Sequence, residues 1–198
     1  MSCAGLILAA GASSRMGRPK ALLTYRGQTF LDRLIAVLGS RCSPVVVVLG
    51  HDAGAILAGC RRVSQAQVVV NEHWREGQLS SMQCGLRAVP ADAGGVLFTP
   101  VDVPSISERT VNVLVSRFEQ GGAPLVIPRC GGRRGHPVCC SREIAAEFLG
   151  LPAGAQAREV VHRHETEIAY VDVDDSGVLL DVDDPEAYAA LIRVDEPQ

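Results

Sequence analysis

Apolar residues gather in short, nearly unbroken runs at positions 3–10, 44–50, 67–71, 96–100 and 125–128, the form taken by strands buried on both faces. Between most of these runs the period lengthens to three and four. Phe30, Leu31, Leu34, Ile35 and Leu38 predict a helix over 29–40, and positions 80–89 and 107–120 read as later crossover helices. Ser107 is the expected N-cap of the last of these, ahead of Val111, Leu114, Val115 and Phe118. Strands alternating with helices imply an α/β sandwich with a mostly parallel sheet, because parallel neighbours need a crossover between them. Beyond Pro128 the pattern changes. Gly131-Gly-Arg-Arg-Gly135 is turn chemistry, 138–140 suits a short strand and 144–149 a helix. Runs at 167–173 and 178–182 flank Asp174-Asp-Ser-Gly177 and predict a β-hairpin, after which Pro185 opens a last helix to about Ile192. No repeat or low-complexity linker interrupts the chain. The expected architecture is one doubly wound domain over 1–198 with a small antiparallel addition.

Composition narrows the function classes. The chain has 198 residues, 47% of them hydrophobic, enough for a full core. With 19 Lys plus Arg against 22 Asp plus Glu, the formal charge of −3 gives no electrostatic case for nucleic acid or an anionic membrane as partner, so cationic groups act locally. The seven cysteines are odd in number and lack C-x-x-C spacing, which suits small buried thiols in a reducing compartment. No basic segment followed by an apolar one opens the chain, and no run approaches the ~18 apolar residues of a membrane span, so a cytoplasmic location is expected.

The chemistry concentrates at positions 8–20, Leu-Ala-Ala-Gly-Ala-Ser-Ser-Arg-Met-Gly-Arg-Pro-Lys, where a buried strand runs into a small, glycine-bearing, cationic loop. Gly11 lets a ligand approach the backbone closely, residues 12–14 leave their N–H groups unscreened, and Arg15 and Lys20 add charge, a combination that suits a polyphosphate. Gly11 and Gly17 are too far apart for G-x-x-x-x-G-K-[ST], and G-x-G-x-x-G does not occur. Pro19 pushes Arg18 towards extended geometry. In open α/β sheets ligands collect at the carboxyl ends of strands, which brings two acidic segments into play. Asp102 stands between Pro100 and Pro104 and reads as a ligand for a magnesium ion bridging phosphates, with a turn cap as the alternative. In Leu180-Asp-Val-Asp-Asp-Pro-Glu186, strand alternation would point Asp181 and Asp183 the same way; Asp183, at the strand end, is the better second metal ligand and Asp184 a helix N-cap.

Positions 8–23 resemble the signature loop of the nucleotidyltransferases, most closely that of the MobA-like NTP transferases, the molybdenum cofactor cytidylyltransferase and guanylyltransferase group. Asn71, Gly77-Gln-Leu-Ser-Ser81 with Gly85, Asp102 followed by Pro104, Arg134-Gly-His-Pro137 and Asp181-Val-Asp-Asp-Pro-Glu186 resemble further blocks in the same order, so the likeness spans nearly the whole chain. The first block is the most specific. The resemblance implies a Rossmann-like three-layer sandwich. It also implies a nucleotide site at Ala9, Ala10, Gly11, Ala12, Arg15, Lys20, Asn71, Ser80 and Ser81, and Mg2+ on Asp102 and Asp183. Arg15, Lys20 and Asp102 would be catalytic, and Arg134 and His136 would meet the acceptor. Ala10 and the Arg-Gly-His-Pro block resemble the cytidylyl enzymes, so CTP is the expected donor. Val103, where those enzymes favour Gln, together with Pro19 and Asp184, departs from the family pattern and bears on the acceptor.

The implied reaction is attack by an acceptor phosphate, on molybdopterin or its molybdenum-loaded form, at the α-phosphorus of CTP, expelling pyrophosphate. A phosphomonoester's second pKa is about 6, so the nucleophile is mostly ionised at pH 7 and no general base is needed. A molybdoenzyme or chaperone partner would fit such a product. Rival readings are a GTP-dependent guanylyltransferase, a sugar-1-phosphate nucleotidyltransferase and a non-catalytic nucleotide-binding module. Several residues carry two readings. His136 is an acceptor contact or a locally bonded turn histidine; Arg133 and Arg134 bind an anionic acceptor or are solvated; Ser80 and Ser81 bond the nucleoside, cap the following helix, or both. Residues 172–183 superficially suggest a calcium loop, but strands are expected on its flanks and position twelve is Asp, so the hairpin reading prevails. His162 and His164 read as surface residues without ligand partners, and Trp74 as packing a loop rather than stacking a base.

Overall fold

In the computed structural model, which describes residues 2–195, the alternating runs form a mixed sheet with helices on both faces. The strands are β1 (Cys3–Ala9), β2 (Thr24–Tyr25), β3 (Gln28–Thr29), β4 (Cys42–Leu49), β5 (Gln67–Val70), β6 (Gly95–Pro100), β7 (Leu125–Cys130), β8 (Arg133–Arg134), β9 (Val138–Ser141) and β10 (Ile168–Asp172). The helices are α1 (Phe30–Gly39), α2 (Ala53–Gly59), α3 (Gln78–Ala88), α4 (Glu108–Glu119), α5 (Arg142–Gly150), α6 (Ala157–Arg163) and α7 (Pro185–Asp195). The main sheet runs β10-β7-β9-β6-β1-β4-β5, with β8 paired to β7 and β2–β3 a separate hairpin. Pairs β1–β4, β1–β6, β4–β5 and β7–β10 are parallel, whereas β9 runs against both its neighbours.

β1 is central because both of its faces are apolar. Cys3, Ile7 and Ala9 join the core beneath α1, α2, α4 and α7, while Ala4, Leu6, Leu8 and Ala10 face α3, α5 and α6, which is the period-two division that a doubly covered strand requires. Thr29 and Ser107 cap α1 and α4 by accepting from Asp32 N–H and Thr110 N–H. All seven cysteines are free, five of them buried. Among the described residues no helix is long and apolar enough to cross a membrane.

One element departs from expectation. The predicted hairpin does not form: β10 pairs in parallel with β7, and the second arm is a 3-10 turn, Ser176–Leu179, running into irregular chain. The cause is Asp175, whose carboxylate accepts from Ser107 N–H and Oγ, Thr110 Oγ1 and Gly177 N–H and so ties the turn to the start of α4. Backbone groups that a ladder would use go elsewhere, Val178 O to His136 N–H and Val182 N–H to Asp102 O. The antiparallel addition is supplied instead by β9 and β8.

Candidate active site

β1 ends at the middle of the sheet, and the loop after it lines a cavity of about 520 Å³. Ala9, Ala10, Gly11, Ala12, Ser13, Ser14, Arg15 and Lys20 all contribute to its wall. The loop is bent at Ser13, a non-glycine residue at φ 51°, and closed where Lys20 N–H donates to Ser13 Oγ over 3.1 Å and Met16 N–H to Ser13 O over 2.9 Å. Met16 is buried, so the loop hangs from the core by one side chain while Gly11, Arg15 and Gly17 remain exposed. Pro19, with ψ 121°, holds extended backbone before the single turn Lys20–Leu22 that aims Lys20 inward.

Lys20 is the hub. Its Nζ donates to Asp102 Oδ2 over 3.0 Å and to Asp183 Oδ1 over 2.6 Å, and Arg15 Nη1 lies 3.5 Å from Asp183 Oδ2. The two acidic segments are held together by their own backbone, since Val182 N–H donates to Asp102 O over 2.8 Å. Burial works against the Lys20 ammonium, but the hydrogen bond to Asp183 and the charge of Asp102 more than offset it, so its pKa is raised. The same Lys20 bond holds the Asp183 carboxyl below its usual range. Asp184 accepts from Ala187 N–H as the N-cap of α7, as expected. Asp181 lines a second cavity whereas Asp183 lines the first, and the segment is not the strand that the expected alternation assumed. Burial, and then the negative charge of Asp102 and Asp183, raises the Asp181 pKa.

The donor set suits a hard cation. Asp102 and Asp183 already gather one cationic group between them, and magnesium is commonly held by one or two carboxylates plus substrate phosphates. Among the described residues no group of three or more His, Cys, Asp or Glu converges on a metal position, so any remaining ligands would come from phosphate and water.

Towards the other side of β1 the cavity wall is built by Trp74, Arg75, Gly77, Gln78 and Ser81. Asn71 is buried and stands behind this wall; its Nδ2 donates to Ser80 Oγ and Ser81 Oγ, at 2.9 and 3.0 Å, and its Oδ1 accepts from His73 N–H. Ser80 lies inside the first turn of α3, which begins at Gln78 with Gly77 as N-cap, and donates to the carbonyls of His73 and Gly77. Of the predicted nucleoside residues, Ser81 therefore reaches the cavity while Asn71 and Ser80 position it. Trp74 and Arg75 also line the cavity, which only their proximity in sequence to Gly77–Ser81 hinted at, as does Gln78 from within that block.

A second cavity, of about 700 Å³, lies alongside. Its walls are largely apolar, with Met82, Phe98, Ile127, Val138 and Phe148, and its polar groups include Arg133, Arg134, His136 and Asp181. His136 is no locally bonded turn residue: its ring stands edge-on to Phe98 at 6.5 Å, its Nδ1 is buried without a partner, and burial lowers its pKa. Arg134 is tied to Glu165 Oε1 at 2.6 Å and lies over the Tyr170 ring at 5.1 Å. His164 also corrects the sequence reading, because its two nitrogens bond Glu147 on α5 at 2.6 Å and Glu167 at 2.7 Å. His162 pairs with Glu165 at 3.3 Å and stays exposed.

Known proteins share this fold and much of this sequence. The family model described as the MobA-like NTP transferase domain matches residues 5–168. A protein of Paenarthrobacter nicotinovorans named nicotine blue oxidoreductase is 34% identical over 197 residues, 95% of each chain. The molybdenum cofactor cytidylyltransferase of Escherichia coli K12 is 24% identical over 183 residues, 92% of each chain. Among solved structures, Rv0371c of Mycobacterium tuberculosis H37Rv in complex with manganese superposes with a TM-score of 0.80 at 26% identity, over 98% of this chain and 99% of that one.

Proposed function

The chain belongs to the MobA-like NTP transferase family, and from that premise we propose that it transfers CMP from CTP to a phosphorylated acceptor of the molybdopterin type and releases pyrophosphate. The observation that carries the reading is the convergence of Lys20 with Asp102 and Asp183 on the cavity lined by the loop Gly11–Arg15. Exposed N–H groups of that loop, with Arg15 and Lys20, take the triphosphate's charge and fix the α-phosphorus for attack. Asp102 and Asp183 are the residues that would hold Mg2+, which when bound neutralises charge on phosphate oxygens. Lys20 stabilises charge that grows on the α-phosphate and the departing pyrophosphate, and needs no proton transfer to do so. The second cavity would take the acceptor, with Arg134 at its polar side and His136 offering a hydrogen bond rather than a charge, because burial favours its neutral form.

CTP is favoured over GTP by the resemblance of Ala10 and Arg134-Gly-His-Pro137 to the cytidylyl enzymes, while relatives named for either donor are similar to this chain. The test is pyrophosphate release with CTP, GTP, ATP or UTP, Mg2+ and molybdopterin, in which CTP is expected to give the highest kcat/KM. The relative named as a nicotine blue oxidoreductase, similar along its full length, carries a redox reading. Oxidation or reduction of nicotine blue by the protein, with no pyrophosphate release from any triphosphate, would put the redox reading in place of transfer.

A further inference from the structure

Trp74 and Arg75 belong to a short turn, Trp74–Glu76, that none of the proposed chemistry uses, yet both line the nucleotide cavity. The turn is braced against the loop after β1. His51 N–H donates to Ala10 O over 3.0 Å, and the His51 ring meets Trp74 edge-on at 5.0 Å. Gly50 makes this approach possible, because a Cβ there would stand 2.7 Å from both Ala10 O and Trp74 Cβ. On this fixed indole lies the Arg75 guanidinium, 4.4 Å from the ring centroid. Among the described residues no carboxylate pairs with Arg75. Its N–H donors therefore remain available to a ligand.

The strand order fixes which part of a nucleotide Arg75 meets. In the sequence β5-β4-β1-β6, Asp102 follows β6 on one side of the loop and Trp74–Arg75 follow β5 on the other. Phosphate belongs with Lys20, Asp102 and Asp183, which leaves the base for the side built by Ala10, Trp74, Arg75, Gln78 and Ser81. We propose that Arg75, held against the Trp74 face, selects the base by donating two parallel hydrogen bonds to an edge with two adjacent acceptors. Cytosine, through O2 and N3, and guanine, through O6 and N7, present such an edge. Adenine places an amino donor beside its ring acceptors, and uracil interposes the N3–H donor. The fork thus separates CTP and GTP from ATP and UTP. The inference rests on the nucleotide reading of this cavity.

Trp74 is the only tryptophan in the chain, so its fluorescence reports on this wall directly. Wild type, Arg75→Ala and Arg75→Lys are titrated with the four triphosphates and with inorganic tripolyphosphate in the presence of Mg2+, with calorimetry as a second readout. Wild type should bind CTP and GTP about 10-fold or more tighter than ATP and UTP, the size of one bidentate pair. Arg75→Ala should lose that preference and bind tripolyphosphate as wild type does. Arg75→Lys, which keeps charge but not the fork, should resemble Arg75→Ala in selectivity. A loss of tripolyphosphate affinity equal to the loss for CTP makes Arg75 a phosphate contact and overturns base selection, and so does an unchanged preference. If wild type binds no nucleotide, the nucleotide reading falls as well; if it binds and the variants match it, base selection alone falls.

Discussion

Lys20 holds two carboxylates from distant segments while its own side chain is only 12% exposed, so one cation partly offsets two negative charges at this point. Replacing it leaves Asp102 and Asp183 without their common partner and removes a cation from the path of the triphosphate. Lys20→Ala is expected to lower turnover by at least ~10²-fold, the loss typical of one electrostatic stabiliser. Steady-state kinetics checks this, and a variant within a few-fold of wild type in kcat/KM removes Lys20 from the chemistry. Asp183→Asn should weaken metal activation while leaving the α7 cap intact, because the cap belongs to Asp184. A titration of activity against Mg2+ should then saturate only at higher metal concentration. These roles belong to single residues, and only part of them was legible in sequence. The loop of Gly11 to Lys20 could be read because its chemistry is local. The meeting of Lys20 with Asp183 depends on the bond from Val182 N–H to Asp102 O, a contact between distant segments that no spacing announces.

At the scale of elements, α3 sits close on the sheet because Gly85 has no side chain. A Cβ there would stand 2.4 Å from Leu6 Cδ1 and 2.6 Å from Val48 Cγ2, both in packed strands. Gly85→Val should cost about 1–3 kcal/mol, as overpacking does, measured by the denaturant midpoint at constant m. Helices α5 and α6 are joined by His164, with Arg163 also bonded to Glu147. The bond to Glu167 first, and then Glu147, raises the His164 pKa above its ordinary 6.5. Such a group contributes stability that is fully present below the unfolded pKa and is lost as pH rises through the higher folded value. Melting temperature should therefore fall across that window in wild type, and His164→Gln should flatten this part of the profile; an unchanged slope would mean that the clasp is not coupled to folding. Neither α2 nor α6 was read from sequence. Ala53-Gly-Ala-Ile-Leu-Ala-Gly59 carries two glycines and one fully buried residue, and α6 buries only Val160, so neither shows a helical stripe. The false hairpin had the opposite cause. Its local turn chemistry was sound, but Asp175 drew the turn onto α4.

For the molecule as a whole, the order β5-β4-β1-β6 sets the loop after β1 between the wall of Trp74, Arg75, Gln78 and Ser81 and the acidic segments, and the second cavity opens beside it. The parallel core was legible because Cys3–Ala9, Cys42–Leu49 and Gly95–Pro100 are apolar on both faces and so can only be buried strands. The second cavity was legible only at its polar edge, where Arg134, His136 and Asp181 stand in blocks that the sequence offered; its apolar walls were not, since Phe98 and Phe148 come from separate segments and carry no motif for a pocket. On the proposed reading the two cavities hold donor and acceptor side by side, as a transfer reaction requires, and the most direct test follows the transferred group itself. Purified protein is incubated with Mg2+, molybdopterin and CTP labelled at the α-phosphate, and the products are separated. The account predicts label in a molybdopterin–CMP adduct with one pyrophosphate released per adduct, and neither product from Lys20→Ala above background. Label that remains in CTP, or appears only as CMP when the acceptor is present, would contradict it.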